Sequence, residues 1–307
     1  MGSADAGRYG LWLLRGLWVA LPAVAWLTLA DTFDGLERPL VAEVPLWALW
    51  FGGLVATLVP SPVGLTALRL AAPALVTWPL LILVIDGGGT PLVAAAAYGV
   101  LVCAVLFAAV VGDVMINGSA YGSERRMALR APGFALVGPI PLVWGALFAV
   151  TAALWLAAVD GRWALTAGLA VLSLLAGFGA WRILYQLARR WLVFVPAGFV
   201  IHDHLMASES ILLRRTIVST LGPATAEGLA DATDLSGRAP GLALEVALKE
   251  SVPFSRRVRR EVRSQEADRL VFTPTLPGAV LREARVRAIK VGAGASSTPR
   301  PRPRPAP

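Results

Sequence analysis

The chain has 307 residues, of which 56% are hydrophobic and only 16% are charged, and its mean hydropathy is +0.66. Soluble globular proteins contain about 25% charged residues, so this composition excludes an ordinary soluble protein. The single cysteine, Cys103, excludes a disulfide within the chain. Residues 1–190 contain 11 Arg, no Lys and 9 acidic residues, whereas residues 191–307 contain 17 basic and 11 acidic residues. We therefore predict a membrane half followed by a basic soluble half.

Six apolar runs are predicted to form membrane-spanning helices. A spanning helix needs about 20 mostly apolar residues, because the hydrocarbon core is roughly 30 Å thick and each residue rises about 1.5 Å. The second and third runs are the shortest, and Arg69 shortens the third. The first run is interpreted as an uncleaved helix, since no small-residue cleavage site leads into a soluble region. The six runs are Leu11–Ala30, Glu43–Pro60, Ala67–Ile85, Pro91–Gly112, Gly138–Val159 and Trp163–Trp181.

The arginines between these runs predict the orientation of the chain. Short cytoplasmic loops carry an excess of Lys and Arg, so the side with more arginines is taken as the cytoplasm. With the N-terminus inside, the outer segments contain only Arg38 and Arg162. An even number of helices then returns the C-terminus to the cytoplasm of a bacterial inner membrane. The cytoplasmic arginines are Arg8, Arg15, Arg69, Arg125, Arg126, Arg130, Arg182, Arg189 and Arg190, the last three expected at the lipid headgroups.

A transport pathway for ions is not indicated by the apolar runs. Carriers coupled to protons or sodium generally contain ionisable residues at mid-membrane depth. Here Arg15 lies close enough to the inner face to extend into the headgroups, and Asp113 falls at the end of a run. A transporter or channel for a neutral or hydrophobic solute needs no such residue and stays open as an alternative.

The longest connection in the membrane half is residues 113–139, which contain Arg125, Arg126 and Arg130. Three interpretations remain open for this loop. It is a solvated positive-inside loop, a docking site for the soluble half, or a contributor to catalysis. A short interfacial helix capped at Ser123-Glu124 would present the three arginines to anionic lipid. The solvated loop is the simplest expectation.

The soluble half is predicted to be rich in β-structure. Trp191–Val195 and Phe199–Asp203 flank a short connection that contains Gly, which is typical of a hairpin. Apolar residues alternate with Ala and Glu in Leu242–Leu248, which predicts a strand with one buried face. Further strands are expected within Ile211–Leu221 and at Arg269–Thr273, and the pattern of Pro277–Ile289 predicts a closing amphipathic helix.

The strongest chemical feature of the soluble half is the basic segment Ser255–Arg263. If this segment is helical, most of its arginines share one side. Such a cluster near an anionic leaflet gains about 1 kcal/mol per basic residue. Phe254 is the only aromatic residue beside it, and the lack of stacking partners argues against nucleic acid. Arginines that are solvated or paired within the chain stay open as the alternative to contact with lipid or an acidic protein. The predicted contacts to lipid or protein are Arg125, Arg126, Arg130, Arg256, Arg257, Arg259, Arg260 and Arg263.

No catalytic residue, metal site or cofactor is predicted. His202 and His204 would share one face of a strand, but a metal needs one or two further ligands, and the nearby acids have no motif spacing. Ser208 and Ser210 lack an activating context and are expected to be polar turn residues. Glycine loops for phosphate and G-x-S-x-G nucleophile turns are absent from the sequence.

Two motifs, NGSAYGSERR at residues 117–126 and RRWLVFVPAGFVIHD at residues 189–203, resemble an uncharacterised group of actinobacterial integral membrane proteins. In that group several helices precede a cytoplasmic domain similar to bacterial pleckstrin-homology-like folds. The resemblance implies architecture only, because it brings no catalytic residues with it.

Together these observations predict an α-helical membrane bundle of about six transmembrane helices, followed by a small β-rich (α+β) pleckstrin-homology-like cytoplasmic domain. The predicted divisions are residues 1–190 for the helices, 191–291 for the domain and 292–307 for a disordered Pro/Arg tail. The expected function is non-catalytic, as a scaffold or sensor that presents the domain to anionic lipid or a protein partner. A membrane-bound enzyme is the third possibility.

Overall fold

The structure is a computed structural model, and it divides the chain into two compact units. The helical unit comprises Met1–Tyr121 and Phe134–Arg189, and the sheet unit comprises Gly122–Gly133 and Arg190–Pro307. The predicted division at residue 190 did not foresee that a segment from the middle of the helical region belongs to the sheet unit. The residues described are 3–34, 39–86, 89–225, 232–258 and 261–292.

The helical unit is built from helices joined by short turns. Ser61 caps the third helix, since its hydroxyl accepts a hydrogen bond from the Gly64 backbone N–H at 3.0 Å. The helices are α1 (Ser3–Asp34), α2 (Pro39–Leu58), α3 (Pro62–Ala71), α4 (Ala74–Asp86), α5 (Thr90–Phe107), α6 (Ala109–Asn117), α7 (Gly133–Val137, whose first residue belongs to the sheet unit), α8 (Pro139–Val159) and α9 (Trp163–Ala188).

By length and composition, five stretches of the described helices could cross a membrane. They correspond to five of the six predicted runs, and the second run contains the shorter apolar helix Leu46–Leu58. The stretch that matches the third predicted run, Ala67–Ile85, begins earlier, at Pro62. Ser61 caps α3 and Pro62 is its first residue, so the helix starts before the strongly apolar part of the run. The five are Asp5–Trp26, Pro62–Ile85, Thr90–Phe107, Gly133–Ala158 and Trp163–Ala188.

Close helix packing in this unit depends on glycine. A Cβ added to Gly99 of α5 would lie 2.4 Å from the Leu75 carbonyl oxygen of α4, and one added to Gly7 of α1 would lie 2.8 Å from the Val110 carbonyl oxygen of α6. Small residues allow such backbone approaches, which stabilise helix pairs in a membrane by van der Waals contact. Trp18 and Trp50 add reciprocal hydrogen bonds, each indole N–H donating to the other residue's carbonyl at 2.9 Å.

The sheet unit contains two four-stranded sheets and a closing helix. The first sheet has the order β1-β2-β3-β4 and the second β5-β7-β8-β6. Phe194, Phe199 and Phe272 are fully buried in the core between them. The elements are β1 (Arg125–Ala128), β2 (Trp191–Val195), β3 (Gly198–His202), β4 (Ile211–Arg214), β5 (Val218–Pro223), β6 (Thr233–Asp234), β7 (Leu244–Val258), β8 (Glu261–Phe272) and α10 (Pro277–Val286).

The predicted strands and closing helix form, most of them with different bounds. The strand predicted at Leu242–Leu248 begins at Leu244 and continues to Val258, the one predicted at Arg269–Thr273 is the end of β8, and the helix ends at Val286. β2 has the predicted bounds, and β3 pairs with it from Trp191↔His202 to Val195↔Gly198. The region predicted as one strand or a pair forms β4 and β5. Local alternation and turn residues determine these elements, so the sequence was sufficient to find them.

The loop predicted at residues 113–139 contains a strand. Its residues Arg125–Ala128 form β1, which pairs antiparallel with β2 from Arg125↔Phe194 to Ala128↔Trp191. The buried side chains Met127 and Leu129 anchor it in the core. Of the three interpretations of this loop, the structure supports association with the soluble half, in the form of a shared sheet. A solvated loop is therefore wrong for this segment.

The helical form considered for Ser255–Arg263 does not occur, because the described residues of this segment are β-structure. β7 continues to Val258 and β8 begins at Glu261, with Ser255 opposite Ser264 and Arg256 opposite Arg263. Pairing with a neighbouring strand outweighs the helical spacing of the arginines, since β-structure is decided by cross-strand partners. Arg259 and Arg260 lie outside the described residues, and the pairing of residues 256–258 with residues 261–263 concerns their backbone alone.

Candidate functional site

Arg126, one of the predicted lipid contacts, makes side-chain contacts within the sheet unit. Its guanidinium lies 5.3 Å from the centre of the Trp191 ring and 3.4 Å from a carboxylate oxygen of Glu124. The side chain retains a fifth of its exposure. A cation over an indole ring is attracted by the ring quadrupole, so these contacts hold β1 against β2. Arg125 lies beside it in the same strand, opposite Phe194.

Arg130 follows β1, and its backbone forms hydrogen bonds to two other segments of the sheet unit. Its N–H donates to the Thr273 carbonyl at 2.8 Å, and its carbonyl accepts from Arg190. Its side chain packs beside Gly241, where an added Cβ would lie 2.9 Å from the Arg130 Nε. The described basic residues therefore fall on different sheets. The first group lies in or beside β1, whereas Arg256 and Arg257 lie in β7 and Arg263 lies in β8.

Arg190 and Asp203 form an ion pair that is buried in the sheet unit. Two guanidinium nitrogens of Arg190 face the two carboxylate oxygens of Asp203, with Nε at 2.8 Å from Oδ1. Both side chains are almost completely inaccessible to solvent. The same guanidinium donates to the carbonyls of Arg130 and Leu235. Arg190 thus joins three separate segments of the chain at one point.

This placement corrects the expectation that Arg190 faces the lipid headgroups. An arginine at the end of a membrane helix normally reaches the interface, but here the chain enters the sheet at Arg190, and Asp203 at the end of β3 supplies its counter-charge. Asp203 also accepts hydrogen bonds from the backbone N–H groups of Leu205 and Met206. A buried pair is tolerated when additional hydrogen bonds satisfy its remaining atoms, and this one fulfils that condition.

Glu245 is a second buried charge that the sequence did not predict. The alternation in β7 placed its side chain on the solvent face, yet it is only 1% exposed, because both faces of this strand are covered. Neither carboxylate oxygen has a hydrogen bond, and the nearest cation, Arg269, lies 3.7 Å away. Burial raises the pKa of Glu245, and the charge of Arg269 opposes that rise. The group is therefore able to hold a proton more strongly than an exposed glutamate.

His202, the last residue of β3, contacts a serine and a tryptophan. Its Nδ1 is 2.8 Å from the Ser210 hydroxyl, and its ring stacks on Trp191 with a centroid distance of 5.3 Å. A serine and a histidine in contact could form a nucleophile and its base, but the neighbouring carboxylate of Asp203 is paired with Arg190. The described residues contain no group of three or more His, Cys, Asp or Glu side chains that could hold a metal ion.

The helical unit contains three ionisable side chains that are at least partly buried in it. Arg15 donates from Nε and Nη2 to the Thr57 carbonyl at 3.1 and 3.0 Å. Arg69 in α3 lies 5.4 Å from the Phe107 ring, and Asp113 in α6 is only 2% exposed. Ionisable residues of this kind are rare within membrane helices.

Comparison with protein-family models, with curated proteins and with solved structures finds no match for this chain.

Proposed function

We propose that this protein is a non-catalytic integral membrane protein that holds its sheet unit at the cytoplasmic face of a bacterial inner membrane. There it acts as a scaffold or sensor toward anionic lipid or a protein partner. The observation that carries this proposal is the pairing of β1 with β2. These strands belong to one sheet, although α8 and α9 lie between them in the chain.

This pairing restricts how the chain can cross a bilayer. β1 and β2 must lie on the same side of the membrane, because a sheet cannot form across hydrocarbon. A hairpin of two spanning helices, α8 and α9, satisfies this condition. The arginines at residues 125, 126, 130, 189 and 190 then share that side, which supports a cytoplasmic location by the positive-inside rule.

The chain passes between the two units three times, after Tyr121, after Gly133 and after Arg189. Three covalent connections restrict the sheet unit far more than the single linker that the sequence predicted. We infer that a surface of this unit is held close to the membrane, as a lipid or protein sensor requires. We propose that the two four-stranded sheets, with α10 following the last strand, form a pleckstrin-homology-like domain.

For the surface that contacts anionic lipid we propose the basic segment Ser255–Arg263, with Arg256 and Arg257 in β7, Arg263 in β8, and Arg259 and Arg260, which lie outside the described residues. Five arginines within nine residues of sequence would gain about 1 kcal/mol each near an anionic leaflet. Such contacts weaken as salt is added, because the attraction falls off within a Debye length of about 10 Å at 0.1 M salt.

The test uses the full-length protein in vesicles, with Cys103→Ser and a new cysteine at Ser264, which is exposed and directly follows these arginines. An environment-sensitive dye on Ser264→Cys should report burial in vesicles that contain phosphatidylglycerol, and the signal should be smaller in phosphatidylcholine vesicles. Changing the five arginines to Gln should abolish that difference.

The matched control changes Arg285 and Lys290, two exposed cations of the same unit, to Gln. It should leave the difference between the two vesicles intact. Equal dye signals in both vesicle types for the unmodified arginines would exclude contact with anionic lipid at this segment.

A further inference from the structure

One edge of β4 is not paired with any described strand. β4 is the outermost strand of its sheet and pairs with β3 from Gly198↔Arg214 to Ile201↔Ile211. Arg215 N–H donates to the Ala197 carbonyl, and hydrogen-bonded residues alternate along an antiparallel pair. Leu213 and Ile211 therefore bond to β3. The N–H and carbonyl groups of Leu212 consequently point away from the sheet.

Other edges in the same unit are closed by backbone pairing. At β1, the Thr275 N–H donates to the Ala128 carbonyl at 2.9 Å. At β5, the Leu221 N–H donates to the Lys290 carbonyl, also at 2.9 Å. For Ser210 to Leu213, the described residues provide no backbone partner on the outer side of β4. Unprotected edges readily pair with another strand, so natural proteins usually cover them.

The space beside this edge is open. A groove of about 380 Å³ runs between residues 209–212 and residues 252–255 of β7. Leu212 lies on it and keeps 43% of its surface exposed, which is unusual here because the sheet unit buries most of its large apolar side chains. An incoming strand would therefore find both unpaired backbone groups and an apolar side chain.

The charges along the edge specify what can pair with it. Glu209 precedes the strand, and Arg214 and Arg215 end it, all three exposed. An antiparallel partner must then be acidic at its N-terminal end, apolar in the middle and basic at its C-terminal end. The segment Glu209–Arg215, with the sequence ESILLRR, has this pattern itself.

We propose that β4 pairs with β4 of a second copy of this chain, antiparallel and centred on Leu212. Around this two-fold axis Glu209 lies opposite Arg215 of the other copy, and Ser210 lies opposite Arg214. The interface is isologous, so each pair occurs twice. Opposite charges directly across strands are favourable, and confinement of both copies to one membrane raises their effective concentration. This inference does not depend on lipid contact at the basic segment.

The first experiment is disulfide trapping of the full-length protein in vesicles, with Cys103→Ser and Leu212→Cys. Directly opposed residues in a hydrogen-bonded pair have Cα atoms about 5.5 Å apart, within the range of a disulfide. Oxidation should yield a covalent dimer. The control is Leu242→Cys, because Leu242 is 52% exposed in the same unit and away from this edge. Equal dimer yields at residues 212 and 242 would indicate random collision and overturn the proposal.

The second experiment is a charge exchange without cysteines. Glu209→Arg or Arg215→Glu alone replaces two attractive pairs by two repulsive ones, and the dimer dissociation constant should rise roughly tenfold. The double variant E209R/R215E restores both pairs and should recover dimerisation. Binding to a different protein would not be restored by the double variant, because that protein does not carry the exchanged charges. If the double variant does not restore dimerisation, self-pairing is overturned.

Discussion

The two units of this protein place their apolar side chains in opposite ways. In the helical unit, Trp26 and Leu174 are each 76% exposed, and many other large apolar residues lie on the outside. In the described part of the sheet unit, the exposed large apolar residues are Leu212, Leu242 and Val286. A large apolar surface is unfavourable in water and favourable beside lipid chains. The surface of the first unit is therefore compatible with lipid, and that of the second unit is compatible with water.

The largest expected effect tests whether the sheet unit is complete without the middle of the chain. A protein of residues 190–292 alone lacks β1 and loses the burial of Met127 and Leu129. At about 1.5–3 kcal/mol for each buried side chain, the loss is roughly 3–6 kcal/mol, comparable to the stability of a small domain. We expect this fragment to be unfolded or aggregated.

The matched fragment joins residues 122–133 to residues 190–292 through a short flexible linker that replaces the α8–α9 hairpin. It should be soluble and show a cooperative thermal transition by circular dichroism. If the fragment without β1 unfolds at the same temperature as the joined one, β1 is not a structural part of the unit.

Arg190→Ala should have the next largest effect, because it leaves the carboxylate of Asp203 buried without a counter-charge. Removing one partner of a buried pair costs about 3–5 kcal/mol. The measurement is protease sensitivity of the sheet unit in the full-length protein. Arg189→Ala is the control, since the neighbouring arginine is exposed, and it should change little. Replacing both partners, R190M/D203L, should recover part of the loss.

A charged substitution at an exposed apolar position distinguishes the two solvents directly. Leu174→Arg in the middle of α9 should lower membrane insertion by about 2.5–3.5 kcal/mol, as for Arg at the centre of a spanning helix. Leu242→Arg in the sheet unit should change stability by less than about 0.5 kcal/mol, because water already surrounds that side chain. The readout is the inserted fraction for the first variant and the thermal midpoint for the second. Equal tolerance at both positions would contradict a lipid environment for α9.

The smallest effect concerns pH. Burial raises the pKa of Glu245 in the folded state, so the protonated form is favoured by folding. Its contribution is present below the pKa of the unfolded chain and is lost as pH rises through the folded pKa. Glu245→Gln should therefore raise the thermal midpoint of the joined fragment at neutral pH and leave it unchanged in acid. An equal change at both pH values would exclude titration of this carboxyl group as the cause.

Several site features could be read from neighbouring residues, and others could not. The basic segment at residues 255–263 was recognised from its composition. The sequence did not show that its described residues pair as β7 and β8. Arg190 and Asp203 stand in one motif of the sequence, yet nothing local shows that they form a buried pair. Glu245 was misplaced because alternation predicts two faces and does not tell which of them another element covers.

The amino-acid sequence by itself determined the apolar helices and the β2–β3 hairpin, because each depends on a continuous run or a short-range alternation. Only the tertiary structure decided that β1 joins β2, that Arg190 meets Asp203 and that Glu245 is buried. A four-residue strand or a single charge carries too little local signal to be recognised. Its state depends on residues elsewhere in the chain, which come within contact distance only after folding.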